Sequence, residues 1–160
     1  MDISFKMGDE KFNYRVSAII ISNGRILAMS HDKPSEYYSL PGGRVMMEET
    51  AEQAMIREVR EELHIDIEDA REMGVLNFSF ACGTIPEIRC HVFMASSFTG
   101  TPSETPEAEP FWSPVEEIPY DLMWQDDRFW LPAMLDGKRF EAFFTFEGDR
   151  MMEFSLKTGD

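Results

Sequence analysis

An α+β fold in which helices enclose a mixed β-sheet is the architecture that the order of patterns along this chain predicts. Strand-like β-branched runs fill the N-terminal part. A capped amphipathic helix then interrupts them, and further strand patterns flank a short second helix. No internal repeat and no linker-like stretch divides the 160 residues. One domain spanning 1–160 is therefore expected, large enough to bury a core of its own.

Each element has a local cause. Residues 14–22 (YRVSAIIIS) and 25–30 (RILAMS) read as strands. Asn23-Gly24 between them signals a two-residue turn with positive φ at both positions. A short extended piece at 37–40 is closed by Pro41. Thr50-Ala-Glu-Gln53 forms a capping box that opens a helix running to about Leu63. Met55, Ile56, Val59 and Leu63 make its core-facing stripe. Strands are expected at 72–81 and 87–98, and the Pro- and Glu-rich stretch 99–110 reads as a loop. A turn or short helix follows at 114–119. Asp126 or Asp127 can cap a second helix that ends at Asp136-Gly137. A final hairpin, 139–147 with 150–156, is signalled by Phe140, Ala142, Phe144 and Phe146 on alternate positions.

Composition narrows the function. The net charge is −15, with no Lys or Arg cluster able to track a nucleic-acid backbone, so polymeric nucleic acid is not an expected partner. A small phosphate ester still fits, because bound divalent cations would reverse the local field. The first residues, MDISFKMGDEKF, lack an apolar signal region, and no apolar run is long enough to span a bilayer. No membrane partner and a cytoplasmic location are expected. Cys82 and Cys90 are expected to be reduced, buried thiols. Nothing in the sequence signals an oligomeric state.

The chemistry concentrates in residues 43–65, GRVMMEETAEQAMIREVREELHI. Glu58, Glu61 and Glu62 stand at i, i+3 and i+4, so three carboxylates share one helix face. Each like-charged pair of this kind costs about 0.2–0.5 kcal/mol. On its own such a face is a solvated acidic surface. A divalent cation held by oxygen ligands would turn the repulsion into a binding site.

The whole segment resembles the Nudix box: a glycine, five residues, a Glu, seven residues, then R-E-U-x-E-E-x-G-U, where U is a bulky aliphatic. Gly43, Glu49, Arg57, Glu58, Val59, Glu61, Glu62 and Ile65 match it. The resemblance implies an α/β/α sandwich with a mixed sheet, and hydrolysis of a nucleoside diphosphate linked to a further moiety, dependent on Mg²⁺ or Mn²⁺. It makes Glu58 and Glu62 the principal metal ligands, with Glu61 in the same shell and the Gly42 carbonyl nearby. Arg57 would orient Glu49 or a metal-bound Glu through a charge-assisted hydrogen bond. Such ions neutralise phosphate oxygens and activate water. Gly42-Gly43 lets the backbone approach them closely. The chain departs from the pattern at His64, which takes the place of the last glycine, a left-handed helix cap. Met46 and Glu48 replace the commoner Glu and Gly before Glu49.

Farther on, residues 123–132 (MWQDDRFWLP) are similar to the M-W-x-D-D-x-x-W-x-P segment of one branch of that family, which hydrolyses oxidised purine nucleoside triphosphates such as 8-oxo-dGTP to the monophosphate and pyrophosphate. The similarity extends to His91-Val92-Phe93, Gly100-Thr101-Pro102, Glu117-Ile118-Pro119 and Phe146-Glu147-Gly148. It implies that Trp124 stacks on the purine and that Asp126 and Asp127 bond the base edge. Adjacent acids can do so if one is kept protonated, giving a donor beside an acceptor. Phe78 and Trp130 would line the pocket, with Phe146 and Ile88 nearby and Gly43 at its border. Glu107 corresponds to a loop glutamate near the metals, a further ligand or base. Without the resemblance, Asp126 is only an N-cap and the aromatics are only core. The branch carries an asparagine against the base where this chain has Ser39, which offers no paired amide. Base preference therefore stays open. A Nudix hydrolase for ADP-ribose or a nucleotide sugar is the alternative. A binding module without catalysis would show a broken acidic set, and here the set is whole.

Overall fold

The chain is described by a computed structural model covering residues 12–32, 36–106 and 108–159. Eleven strands form: β1 (Phe12–Ser22), β2 (Arg25–His31), β3 (Tyr37–Ser39), β4 (Gly42–Arg44), β5 (Asp66–Ile67), β6 (Arg71–Phe80), β7 (Glu87–Ala95), β8 (Phe98–Thr99), β9 (Glu109–Pro114), β10 (Arg139–Glu147) and β11 (Arg150–Gly159). Two α-helices accompany them, α1 (Ala51–Leu63) and α2 (Asp127–Leu135), with 3-10 turns at Val115–Glu117 and Tyr120–Leu122. The main sheet runs β11-β10-β6-β7-β1-β2-β3, with β4 attached to β1 and β9 to β2. Two pairings, β1 with β7 and β10 with β6, are parallel; the rest are antiparallel. The sheet is mixed, as the sequence predicts.

Alternation along the strands builds two cores, one on each face. Val16, Ala18 and Ile20 of β1 pack with Phe93 and Ala95 of β7 against Met55, Val59 and Leu63 of α1. Ile19 of β1 turns the other way and joins Leu76, Val92, Phe140, Ala142 and Phe144 beneath Trp130, Leu131 and Met134 of α2. Each of these large side chains contributes about 1.5–3 kcal/mol by leaving water. The sequence puts the helices where these faces need cover. Among the described residues, no helix is long and apolar enough to cross a membrane.

The local signals hold in detail. Asn23 and Gly24 have φ of 54° and 73°, the turn the dipeptide predicts. Thr50 and Gln53 exchange both capping-box bonds. His64 adopts φ 61°, ψ 32°, the left-handed cap, and its Nδ1 pairs with the Ser103 hydroxyl. Glu48 also has positive φ, 67°, at the place where the box usually has glycine.

Four expectations need correction. The strand expected through residue 98 stops at Ala95, because Asp69 takes the amides of Ser96 and Ser97 and the Ser96 hydroxyl. The short strand β4 was not anticipated; its two glycines carry no strand propensity and it forms by pairing with β1. The loop expected at 99–110 holds over the described residues of 100–108, but its last two residues open β9, an unexpected strand that pairs with β2 although it holds Pro110 and Pro114. A strand bonded on one side tolerates prolines facing outward. Cys82 is exposed rather than buried, on the turn after β6, whereas Cys90 is buried as expected.

Because the capping box sets the first turn of the helix that carries the acidic residues, Thr50→Ala is expected to lower stability by about 1 kcal/mol. A urea titration should show a lower midpoint with an unchanged slope. An unchanged midpoint would mean that packing alone starts the helix.

Candidate active site

Arg57 is the hub of the acidic segment. Its Nε and one terminal nitrogen fork onto Glu49 at 2.7 and 3.0 Å, and the other terminal nitrogen donates to Glu58 at 2.8 Å. A longer contact of 3.4 Å reaches Glu61, and a bond of 2.8 Å reaches the Arg44 carbonyl in β4. The fork holds the Glu49 carboxyl below its ordinary pKa, helped by the Met46 amide. Those bonds to Glu49 and Glu58 also raise the pKa of Arg57. Glu58 lies flat on Gly43, where any Cβ would come 2.3 Å from its carboxylate. The Gly42 amide donates to Glu62 at 2.9 Å. The Gly42-Gly43 backbone thus seats two carboxylates that helical spacing has already placed together.

Could these residues hold a divalent cation? The donor set is hard oxygen throughout, which suits Mg²⁺ or Mn²⁺. Glu58 and Glu62 are half-buried and braced by backbone, while Glu61 is exposed. Among the described residues, no three His, Cys, Asp or Glu side chains already converge as a ready-made metal cage. Arg57 and the Gly42 amide now occupy part of the oxygen set, so a cation would complete the site with backbone and phosphate oxygens. The residues fit the ion on that footing. Glu107 lies outside the described residues.

On the opposite face of the sheet a cavity of about 680 Å³ opens toward this segment. It is lined by Ser39, Gly42, Gly43, Phe78, Ile88, Trp124, Asp126, Asp127, Trp130 and Phe146, and also by Glu62. Glu49, Arg57, Glu58 and Glu61 do not line it and stand behind the β4 backbone. Gly42, Gly43 and Glu62 are therefore the seam between the acidic segment and the cavity.

Asp126 and Asp127 are both buried, at 5% and 7% exposure, which is rare for carboxyls. Burial raises both pKa values; that of Asp127 rises well above the ordinary range, pushed further by the charge of Asp126. Asp126 holds the N-cap position of α2 but makes no capping bond. Its Oδ2 accepts from the Trp130 indole at 3.0 Å instead. The simple cap expected for Asp126 is therefore absent. With both carboxyls favoured toward the protonated form by burial, one proton on the pair gives a donor beside an acceptor, the Asp126 oxygen being braced by Trp130. Trp130 is itself core, 1% exposed and stacked on Phe140 at 5.4 Å. Trp124 is 60% exposed at the mouth, an aromatic face without cover.

Several lining residues escape sequence reasoning: Arg15, His31, Tyr37, Phe80 and Cys90. Parity could have found Arg15 and Cys90, since each shares a strand face with core residues. His31 could not be found that way, because only the β2–β3 pairing brings its Nε2 within 2.7 Å of the Ser39 hydroxyl. The His31 ring also stacks on Tyr37 at 4.4 Å. Burial pushes the Cys90 thiol up to about 12, so it stays protonated on the cavity floor.

Comparison with known proteins agrees with this geometry. Residues 11–134 match the NUDIX domain. The chain is similar to an oxidized purine nucleoside triphosphate hydrolase of Danio rerio, 38% identical over 116 residues, covering 72% of this chain and 74% of that one. A protein of the same name from Mus musculus is 33% identical over 120 residues, covering 74% and 76%. In three dimensions the fold is shared with the mutator MutT protein of Bacillus halodurans, with a TM-score of 0.81 at 20% identity over 91% of this chain and 97% of that one.

The acid pair makes a pH signature. As pH rises past the ordinary Asp range, about 3.9, the unfolded chain loses protons that the folded chain keeps. Stability from this pair therefore falls with rising pH until the raised folded-state values are passed. Glu49 works in the opposite sense, its contribution being lost as pH falls, and it is common to wild type and variant. Urea midpoints of wild type and Asp127→Asn are expected to lie close in acid and to separate toward neutral pH, the variant becoming the more stable. Parallel curves would contradict a protonated Asp127.

Proposed function

Because the chain belongs to the Nudix family, we propose that it hydrolyses an oxidised purine nucleoside triphosphate, such as 8-oxo-dGTP, to the monophosphate and pyrophosphate, using Mg²⁺ or Mn²⁺ in the cytoplasm. One observation carries this reading: a single cavity joins a buried acid pair and an exposed indole, which suit a purine, to Gly42, Gly43 and Glu62, which border the acidic segment. The two relatives named as oxidized purine nucleoside triphosphate hydrolases support the same substrate.

In this reading Trp124 stacks on the base, an interaction worth about 1–3 kcal/mol. Asp127, protonated, donates to a base carbonyl, while Asp126 accepts from a ring N–H. Phe78, Ile88 and Phe146 supply the apolar walls, and Ser39 borders the base. Glu58 and Glu62 would hold the cation, with Glu61, the Gly42 carbonyl and Glu107 as further candidates. When bound, the ion neutralises phosphate oxygens and acidifies a water. Arg57 keeps Glu49 ionised and holds both Glu49 and Glu58 correctly turned, so the acidic set is in place before substrate arrives. Glu61, exposed and held only at 3.4 Å, can accept a proton from the attacking water. Water oxygen bonds to phosphorus as the bridging P–O bond breaks, and pyrophosphate leaves. Binding to a chain of charge −15 needs those cations, since the triphosphate is itself anionic.

Glu62→Gln is expected to lower kcat by at least about a hundredfold, the scale of losing one preorganised electrostatic contact, while melting as wild type does. Trp124→Ala should raise KM for purine nucleotides with a smaller change in kcat. Chromatographic detection of the nucleoside monophosphate formed from oxidised and ordinary dNTPs, ADP-ribose and nucleotide sugars tests the substrate. Fastest turnover of ADP-ribose with no turnover of 8-oxo-dGTP would overturn the proposal, and full activity of Glu62→Gln would overturn the metal assignment.

A further inference from the structure

Strand register sets one row of side chains straight across the cavity face of the sheet. Ala142 of β10, Leu76 of β6, Cys90 of β7, Arg15 of β1 and Arg44 of β4 are successive partners. The first three are buried and apolar in character, so the row passes from core to a guanidinium where it opens into the cavity that Arg15 lines. Among the described residues no ion pair or hydrogen bond holds that guanidinium. Arg15, Cys90, Asp126 and Asp127 all line this one cavity, so the cation and the acid pair face the same space.

This matters for base selection. The Ser39 hydroxyl, short and already paired with His31, offers the base no paired amide. A guanidinium offers five N–H donors and no acceptor, so it can meet only acceptor atoms of a ligand. Oxidation of a purine adds a carbonyl oxygen that its parent lacks. With one edge of the base at Asp126 and Asp127, a further donor in the cavity can read that added oxygen. We propose that Arg15 is a base-selectivity residue, donating to the carbonyl oxygen that distinguishes an oxidised purine from its parent. The inference rests on the nucleotide hydrolase reading above and adds a residue to it.

The test is the ratio of kcat/KM for 8-oxo-dGTP to that for dGTP in wild type, Arg15→Gln and Arg15→Lys, with melting temperatures as a check on folding. The ratio is expected to fall about tenfold or more in Arg15→Gln, the scale of one lost base contact, and less in Arg15→Lys. An equal loss on both substrates would mean that Arg15 contacts phosphate, and no loss on either would make it a solvated surface charge; both results overturn the proposal. Should wild type hydrolyse neither nucleotide, the function above fails, and Arg15 is still decided by tryptophan-fluorescence titration with 8-oxo-dGMP and dGMP. An oxidised-base preference that persists in Arg15→Gln, or is missing in wild type, refutes the role.

Discussion

The arrangement depends on how one guanidinium settles the repulsion among four carboxylates. Glu49, Glu58, Glu61 and Glu62 lie within a single helix and the loop before it, and left to themselves they would spread into solvent. Arg57 gathers three of them with two short contacts and one long one. It also ties the helix to the Arg44 carbonyl, so the helix cannot slide along the sheet without breaking the same network. The glycines of β4 then give Glu58 and Glu62 a backbone to rest on. Helix register, strand pairing and charge balance are one constraint seen from three sides.

The sheet distributes this order to its other face. Along β1, Val16 and Ala18 pack beneath α1 while Arg15 and Ser17 face the cavity. A strand that carries both sets ties the position of the acidic helix to the cavity through alternation alone. The seam at Gly42 and Glu62 is where the two halves share atoms. On the proposed function, a phosphate and a base would be held a fixed distance apart with no flexible connection between their sites.

Much of this was legible in the sequence, and what was not has a physical reason. The turn at Asn23-Gly24, the cap at Thr50 and the alternation at Phe140–Phe146 are local, and local chemistry decided them. The acidic set was legible because helical spacing converts sequence distance directly into geometry. β4 was hidden because glycines signal permissiveness rather than structure, and β9 because its prolines look like a loop until an edge position excuses them. The strand break at Ser96 came from Asp69, a partner far away in sequence. The cavity residue His31 was invisible for the same reason: its place beside Ser39 exists only once β2 and β3 have paired.

The parallel pairings of β1 with β7 and of β10 with β6 join residues more than sixty positions apart. Such contacts close late, because the chain must first forfeit loop entropy to make them. The cavity draws its walls from both of these pairings and from α2, so it is complete only when all three are in place. Any ligand that needs all of these walls therefore binds only the finished molecule and draws the folding equilibrium toward that state by mass action.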